Sequence, residues 1–347
     1  GAAPVHAERV LRLWARAMPQ DSGRRRIEHF LPATLLAALP ALQAELAALA
    51  TLRSRHPGAD GGERLLVTLA DGESVESVLL PRGGLCVSTQ LGCAVGCAFC
   101  RTGVDGLQRQ LGSAEIVAQV ALARTLRPVH KVVFMGMGEP AHNLDAVLEA
   151  IELLGTQGNV GHKNLVFSTV GDPRVFERLP LQRVKPALAL SLHTTDAALR
   201  AKLLPRAPRF EPQALVEQGL AYAEATGYPL QLQWTLLAGV NDGDAEMERL
   251  AGWLRGRYVV LNLIPYNPSE GLGFTRPGWE HAAHLARTMH RRGVLTKLRH
   301  SAGQDVDGGC GQLRAREAAP AASIAMPVSL QRRREPAPRP GATSGAP

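Results

Sequence analysis

The chain has 347 residues, 45% of them apolar, which is enough to bury the core of one large domain or of two ordinary ones. No run approaches the roughly 20 uncharged apolar residues of a membrane span, and the N-terminus lacks the basic-then-apolar order of a signal peptide, so we expect a cytoplasmic protein. The net charge of +8 is typical of a generally basic soluble protein or of one that binds an anionic partner.

The first predicted unit, residues 1–62, is a helical accessory segment. Val10 and Leu13 follow the i, i+3 spacing of one apolar helix face. A second helix is predicted over residues 42–52, with Pro40 as its boundary on the N-terminal side.

A β-hairpin is predicted next, over residues 63–82. Two strand-like runs, 65–69 and 75–80, flank Asp71 and Gly72, a pair of residues suited to the positive φ angles of a tight turn.

From residue 83 onward, short apolar runs alternate with segments of helical periodicity. The predicted strands cover residues 85–89, 131–135, 165–169, 187–192, 230–236 and 259–264, and the predicted helices cover residues 113–126, 144–154, 212–226 and 244–254. Because a crossover helix brings each strand back in the same direction, this alternation indicates an α/β fold with a parallel sheet, as a partial or full barrel over residues 83–313. Functional side chains are expected at the C-terminal ends of the strands.

The last predicted unit, residues 314–347, is a basic tail rich in Ala and Pro, a composition typical of disorder. Shortly before it, seven basic residues crowd one stretch and predict a local anion-binding patch. They are Arg287, His290, Arg291, Arg292, Lys297, Arg299 and His300.

Three of the five cysteines, Cys93, Cys97 and Cys100, lie within eight residues. The odd number argues against a closed disulfide framework and favours intracellular thiols in metal or redox chemistry. Three thiolates on one loop can each bind one iron of a 4Fe-4S cubane and leave the fourth iron open to a ligand. Structural zinc is the alternative, but it needs a fourth Cys or His, and none follows until His130.

The CxxxCxxC spacing, with Phe99 before its last cysteine, resembles the radical S-adenosylmethionine (SAM) superfamily. Much of residues 63–313 resembles one branch of it: the 23S ribosomal RNA and transfer RNA adenine C2-methyltransferases, the RlmN type, and their C8-methylating relatives. The blocks that carry the resemblance are 85–93 (LCVSTQLGC), 135–140 (MGMGEP), 191–193 (SLH), 262–268 (NLIPYNP) and 307–313 (DGGCGQL). The implied fold is the radical SAM partial (β/α) barrel.

The resemblance also implies how SAM binds. The open iron of the 4Fe-4S cluster would chelate the amino and carboxylate groups of SAM. The residues implied to contact SAM are Gly138, Glu139, Ser168, Ser191, Leu192, His193 and Asn267. Glycines let backbone approach a ligand, and hydroxyl, carboxylate and amide groups at strand ends can hydrogen-bond to it. For His193, a structural role is an equally open interpretation.

The remaining cysteines, Cys86 and Cys310, are implied to carry the methyl transfer. Adenine C2 is electron-poor and cannot attack the SAM methyl group as an ordinary nucleophile would. By the resemblance, one SAM methylates the Cys310 sulfur, and a second SAM yields a 5'-deoxyadenosyl radical that activates this methyl group for addition to the base. Cys86 then resolves the RNA adduct through a transient disulfide with Cys310.

Glu76 is implied to be the proton acceptor in this scheme, and an exposed hairpin carboxylate is the alternative interpretation. For each of the two isolated cysteines, the alternative is a buried small hydrophobic residue.

The sequence therefore predicts a radical SAM enzyme that methylates C2 of an adenine in 23S ribosomal RNA, transfer RNA or both. It would use a 4Fe-4S cluster, two SAM per turnover and an external electron donor such as flavodoxin, as a monomer with no membrane partner. Adenine C8 methylation or another RNA target is the close alternative. A noncatalytic, zinc-containing RNA-binding protein and a radical SAM enzyme that acts on a small molecule are the more distant ones.

Overall fold

The computed structural model describes residues 2–24, 26–269, 271–299 and 313–314 of the chain. The helices are α1 Pro4–Ala15, α2 Ala33–Ala48, α3 Ser113–Leu126, α4 Leu144–Thr156, α5 Pro173–Arg178, α6 Ala197–Leu203, α7 Pro212–Thr226, α8 Asp244–Leu254 and α9 Trp279–Arg291. The strands are β1 Ala50–Pro57, β2 Glu63–Leu69, β3 Ser74–Leu80, β4 Gly84–Cys86, β5 Gln90–Gly92, β6 Leu107–Gln110, β7 Lys131–Phe134, β8 Leu165–Thr169, β9 Ala187–Ser191, β10 Leu230–Leu236, β11 Val259–Pro265 and β12 Thr296–Leu298.

Ten of these strands form one sheet in the order β1-β2-β3-β4-β7-β8-β9-β10-β11-β12. Strands β1 to β4 pair antiparallel, and from β4 to β12 every pair is parallel. Strands β5 and β6 form a separate two-stranded ribbon. Since parallel strands begin at one edge of the sheet and end at the other, the loops after β4 and after β7 to β11 meet at one edge.

The two faces of the parallel sheet have different neighbours. On one face, Leu188 of β9 belongs to the same buried cluster as Leu215 of α7, so this side is covered by helices. On the other face, Ala189 packs with Val133 and Val166 in a separate cluster that contains no helix residue. We call this second face the lumen face, because it is the inner surface of the partial barrel.

The structure confirms the predicted α/β fold and the predicted strands and helices from residue 83 onward, apart from small differences at their ends. Helices α3, α7 and α8 and strands β8 and β10 have the predicted bounds. Helices α5, α6 and α9, strand β12 and the β5–β6 ribbon were not predicted, and β4 ends at Cys86 rather than at residue 89.

The predicted helix over residues 42–52 is wrong at both ends. Helix α2 begins at Ala33, continues through Pro40 and ends at Ala48, and residues 50–57 form a strand. The proline removes one donor from the helix, but packing of Leu39 and its neighbours against Val10 stabilises the helix around it.

Strand β1 shows the pattern that the helical interpretation overlooked. Its side chains alternate between more and less exposed positions from Ala50 onward, which is the period of a strand. It pairs with β2, and β3 pairs with β4, so the predicted hairpin and residues 50–57 belong to the same sheet as the barrel strands. No helix among the described residues is long and apolar enough to cross a membrane.

Candidate active site

The cluster loop, residues 93–100, follows β5 at the C-terminal edge of the parallel sheet. The Cys93 N–H donates to the Gly106 carbonyl at 3.0 Å, and the Cys100 N–H donates to the Cys97 carbonyl at 3.0 Å. Gly96 has a φ of +63°, a conformation that favours glycine, and a methyl group on Gly103 would lie 2.7 Å from the Gly96 Cα. The loop is therefore wrapped too closely for larger residues at these two positions.

The three thiols open onto a cavity of about 290 Å³ at this edge of the sheet. Most residues predicted to contact SAM line the same cavity: Gly138, Glu139, Ser168, Ser191, His193 and Asn267. Leu192 does not, because its side chain is fully buried in the helix-covered core. The fold thus brings side chains from the ends of several strands around the three cysteines.

Glu139 is a buried carboxylate at the wall of this cavity. Its Oε1 accepts from the Ala141 N–H at 3.2 Å, and its Oε2 accepts from the Val170 N–H at 3.1 Å. Burial raises the pKa of Glu139 to about 7, although these hydrogen bonds oppose the shift. A carboxylate held in this way is poised to become ionised when a cation enters.

The glycines of the MGMGEP block are required by the chain itself. A methyl group on Gly136 would lie 2.6 Å from the Val87 carbonyl oxygen, and one on Gly138 would lie 2.6 Å from the Gln90 side chain. The Gln90 side chain in turn accepts from the Glu139 N–H at 2.7 Å. Close approach of a ligand was the predicted reason for these glycines, but in the structure it is residues 87–90 that leave no room for a side chain.

His193 occupies a constrained position beside the cluster loop. Its φ is +66°, which is uncommon for a residue other than glycine, and its ring meets Phe99 edge to face at 4.9 Å between centroids. Burial, with a smaller effect of Arg200, lowers the pKa of His193 to about 3. The Thr235 N–H donates to Nδ1 at 3.0 Å, so the neutral ring carries its proton on Nε2 and is a hydrogen-bond donor there.

Asn241 holds the backbone of this turn and was not identified from the sequence. Its Nδ2 donates to the His193 carbonyl at 2.7 Å and to the Thr235 carbonyl at 2.8 Å, and its Oδ1 accepts from the Leu237 N–H at 2.7 Å. Asn241 is completely buried, so water cannot replace these contacts.

We expect Asn241→Ala to lower the free energy of unfolding, because each buried backbone group that loses its hydrogen-bond partner costs about 1–3 kcal/mol. Urea denaturation followed by circular dichroism measures the change. Gln182→Ala is the control, since the Gln182 side chain makes one exposed hydrogen bond, to the Arg178 carbonyl, and its removal should cost less than about 0.5 kcal/mol. Equal denaturation midpoints for the two variants would contradict the prediction.

Arg200 is a second residue that the sequence analysis missed. It lies on α6 with 4% of its surface exposed and donates to the carbonyl oxygens of Val170 and Ser191. Burial lowers its pKa to about 10, while the charges of Cys97 and Glu139 oppose the shift. Its guanidinium therefore joins the ends of β8 and β9, close enough to Cys97 and Glu139 to interact with their charged forms.

Cys86 and Glu76 do not line the cavity, but both lie on the lumen face. Cys86 pairs with Val133 of β7 and packs against it, and Met135, two residues further along, lines the cavity. Glu76 precedes Val78 by two residues, and Val78 pairs with Cys86. Cys310, the implied methyl carrier, lies outside the described residues.

Glu76 is buried, with 2% of its surface exposed, so the exposed hairpin carboxylate of the alternative interpretation is wrong. Its Oε2 accepts from Arg64 at 2.8 Å, in an ion pair whose two side chains are both buried. Its Oε1 accepts from the backbone N–H of Arg314 at 2.9 Å.

The cluster loop fits a 4Fe-4S cluster. Burial raises the pKa of Cys93 to about 12 and also that of Cys97, and the neighbouring thiols add to both shifts. Three thiolates could coexist here only with a cationic group between them, which is what iron supplies. Within the described part of the chain, no three Cys, His, Asp or Glu side chains converge as ligands of a single ion would. A cubane, in which each thiolate binds a separate iron, does not need that convergence.

Known proteins match the chain in sequence and in fold. The Radical SAM superfamily profile matches residues 87–251. A probable RNA methyltransferase of Aromatoleum aromaticum is 73% identical over 316 residues, which cover 91% of this chain and 89% of the relative. A probable RNA methyltransferase of Leptothrix cholodnii is 69% identical over 322 residues, covering 93% of each protein.

A solved structure extends the match to three dimensions. The crystal structure of a radical SAM methyltransferase from Sphaerobacter thermophilus is 33% identical and superposes with a TM-score of 0.76, over 90% of this chain and 93% of that one. With its cluster loop at the edge of a partial barrel, the chain belongs to the radical SAM superfamily, in the family that contains these probable RNA methyltransferases.

Proposed function

We propose that this protein methylates C2 of an adenine in 23S ribosomal RNA, transfer RNA or both. The observation that carries the proposal is the position of Cys86. Its thiol lies on the lumen face, outside the cluster loop that contains the other three described cysteines. Cys86 packs beside Val133, two residues before the Met135 that lines the cavity of the three cluster cysteines. The names of the relatives, probable RNA methyltransferases, support an RNA substrate.

Cys93, Cys97 and Cys100 would hold the 4Fe-4S cluster, which, when bound, supplies the electron that cleaves SAM at its sulfonium. Glu139 would take the methionyl ammonium of SAM, because it offers a buried carboxylate that lines the cavity. Ser168, Ser191 and Asn267 would orient the rest of SAM through hydroxyl and amide hydrogen bonds, and His193 would donate from Nε2. An external donor such as flavodoxin would deliver the electron.

Cys310 would carry the methyl group as a thioether, using one of two SAM molecules per turnover. Its thiolate attacks the SAM methyl carbon, and S-adenosylhomocysteine leaves. Arg314, four residues after Cys310, bonds to Glu76 on the lumen face, and four residues of extended chain span about 14 Å at most. This tether supports a Cys310 that works close to Glu76 and Cys86.

Cys86 and Glu76 would complete the reaction once the carbon on Cys310 has joined the base. Glu76 would accept the proton from adenine C2, and the unpaired electron that radical addition leaves on the base would return to the cluster, which was oxidised when it cleaved SAM. The Cys86 thiolate then attacks the Cys310 sulfur and forms a disulfide. The electron pair of the broken carbon–sulfur bond stays on the carbon, which takes up a proton and becomes the methyl group. An external reductant restores the two thiols.

Analysis of nucleosides tests the proposal. Unmodified transcripts of transfer RNA and of 23S ribosomal RNA are incubated with the reconstituted enzyme, SAM and a reductant, then digested and analysed by mass spectrometry. We expect 2-methyladenosine. The C8 isomer, or an unmodified adenosine pool, would refute the C2 assignment, and a colourless protein that contains zinc without iron would refute the enzyme.

The affinity for SAM is expected to depend on pH through Glu139. Because its pKa is raised to about 7, the carboxyl is mostly protonated at pH 6 and mostly ionised at pH 8. Only the ionised form attracts the ammonium of SAM, so binding should weaken by about tenfold when the pH falls from 8 to 6. Equilibrium dialysis of the reconstituted protein measures it. Glu139→Gln should bind weakly at both values, and a parallel pH dependence in this variant would exclude Glu139 as the cause.

A further inference from the structure

Lys131 of β7 faces the lumen. It lies two residues before Val133, which packs on the lumen face, and four residues before Met135, which lines the catalytic cavity. Val132 and Phe134, between them, belong to the helix-covered core. Since alternate side chains on a strand share a face, the side chain of Lys131 extends into the inside of the partial barrel.

Lys297 and Arg299 reach the same space from the last strand. Lys297 pairs with Asn262, which precedes the cavity-lining Ile264 by two residues, and Leu298 packs against the helix-covered core. The Arg299 Nε donates to the Asn262 Oδ1 at 2.8 Å. We call Lys131, Lys297 and Arg299 the lumen cations.

The lumen cations act on one another across the barrel. Four strands separate β7 from β12 in the sheet, yet the charges of Arg299 and Lys297, after burial, lower the pKa of Lys131. Burial and the charge of Arg82 lower the pKa of Arg299. Among the described residues, no Asp or Glu forms an ion pair with these three cations.

The positive charge of the lumen cations attracts anions, and because these cations lie on β7 and on or directly after β12, an extended anion could contact them together. Like charges held close together raise the local concentration of anions around them. The carboxamides of Gln231 and Gln233 lie on the same face, and Gln233 lines the catalytic cavity. A single strand of RNA presents phosphates, which cations attract, and base edges, to which carboxamides can hydrogen-bond. The lining of the lumen therefore matches such a strand.

We propose that the lumen cations bind backbone phosphates of the RNA strand next to the adenosine held in the catalytic cavity. This inference rests on the proposed function and adds the part of the RNA that the barrel grips. The basic stretch that was predicted as one patch is thus divided between two elements, α9 and β12. Arg287 and Arg291 lie on α9, which packs on the helix-covered side, and both are exposed there.

That division supplies a matched control. Lys297→Gln/Arg299→Gln removes two charges from the lumen, and Arg287→Gln/Arg291→Gln removes two charges from the outside of the same short stretch. Lys297→Gln alone is used if the Arg299 substitution disturbs the fold, because the Lys297 side chain is exposed on the last strand of the sheet. Circular dichroism verifies folding of each variant.

The probe is a fluorescein-labelled RNA hairpin with one adenine in its loop, titrated with the reconstituted full chain without reductant. Fluorescence anisotropy gives the association constant over a series of KCl concentrations. For the lumen double variant we expect weaker binding and a salt slope smaller by about 0.7 for each phosphate that is no longer neutralised, as for single strands. The control variant should keep the wild-type slope.

Equally weakened binding in the two double variants, or unchanged slopes in both, would overturn the proposal in favour of diffuse attraction. Inorganic phosphate is also added as a competitor of hairpin binding. If the lumen variant binds the hairpin normally but phosphate no longer competes with it, the lumen cations form a site for a free anion, which also overturns the proposal. Nucleoside analysis of the wild-type enzyme is a separate readout. Absence of 2-methyladenosine there would refute the proposed function without deciding how the barrel binds RNA.

Discussion

Cys97→Ala is expected to fold and yet to lose the cluster, SAM cleavage and methylation together. A cubane bound through three thiolates would keep only two, and the Cys97 thiol opens directly onto the cavity. Anaerobic reconstitution with iron and sulfide should leave the variant colourless, with iron per chain far below the wild type. SAM cleavage should fall to the level measured without enzyme.

The stability of the unreconstituted chain should change little, because the Cys97 side chain borders the cavity and its replacement by Ala removes a single sulfur atom, at a typical cost of about 1 kcal/mol. Cys86→Ala is the matched control. It removes a thiol from the lumen face, and it should keep the iron and the brown colour. A Cys97→Ala protein that retains iron and cleaves SAM would contradict the assignment of the loop.

Cys86→Ala should instead stop the reaction after one round and trap RNA on the protein. The chain has five cysteines, and three are assigned to the cluster, so Cys86 is the one thiol left to attack the Cys310 sulfur. Without it, the bond between the base and Cys310 has no means of release. Labelled RNA should then migrate with the protein on a denaturing gel, at up to one RNA per chain.

The double variant Cys86→Ala/Cys310→Ala separates this adduct from nonspecific cross-linking, since it lacks the thiol that carries the methyl group. It should give no labelled protein band. Repeated turnover by Cys86→Ala without an adduct would exclude the resolving role. Full activity of Cys310→Ala would exclude the methyl carrier and favour a radical SAM reaction of another kind.

The strands and the cavity could be predicted because their signals are local. A short buried run marks β8, alternation of apolar and polar residues marks β10, and the spacing of three cysteines marks the loop, whatever the rest of the chain does. Strand β1 was missed although its alternation is also local, because the apolar residues of α2 precede it directly.

Other roles depend on partners far along the chain, which no local pattern reveals. Arg200 bonds to a residue 30 positions away, and Asn241 bonds to His193, 48 positions away. Either would be taken for an ordinary polar residue of a helix or loop. The distribution of the basic stretch over two elements could not be predicted for a related reason. Strand β12 has three residues, too few for alternation to show that Lys297 points inward while α9 stays outside.

The unbroken ladder from β1 to β12 has a consequence for how the molecule opens. Since β3, which carries Glu76, is hydrogen-bonded to β4, and β4 to β7, the hairpin shares a backbone network with the metal-binding end of the barrel. Local fluctuations of β2 and β3 should therefore be suppressed, and their amide protons should exchange with solvent as slowly as those of β8. The carboxylate proposed to take the proton and the thiol proposed to release the product thus belong to one cooperative unfolding unit.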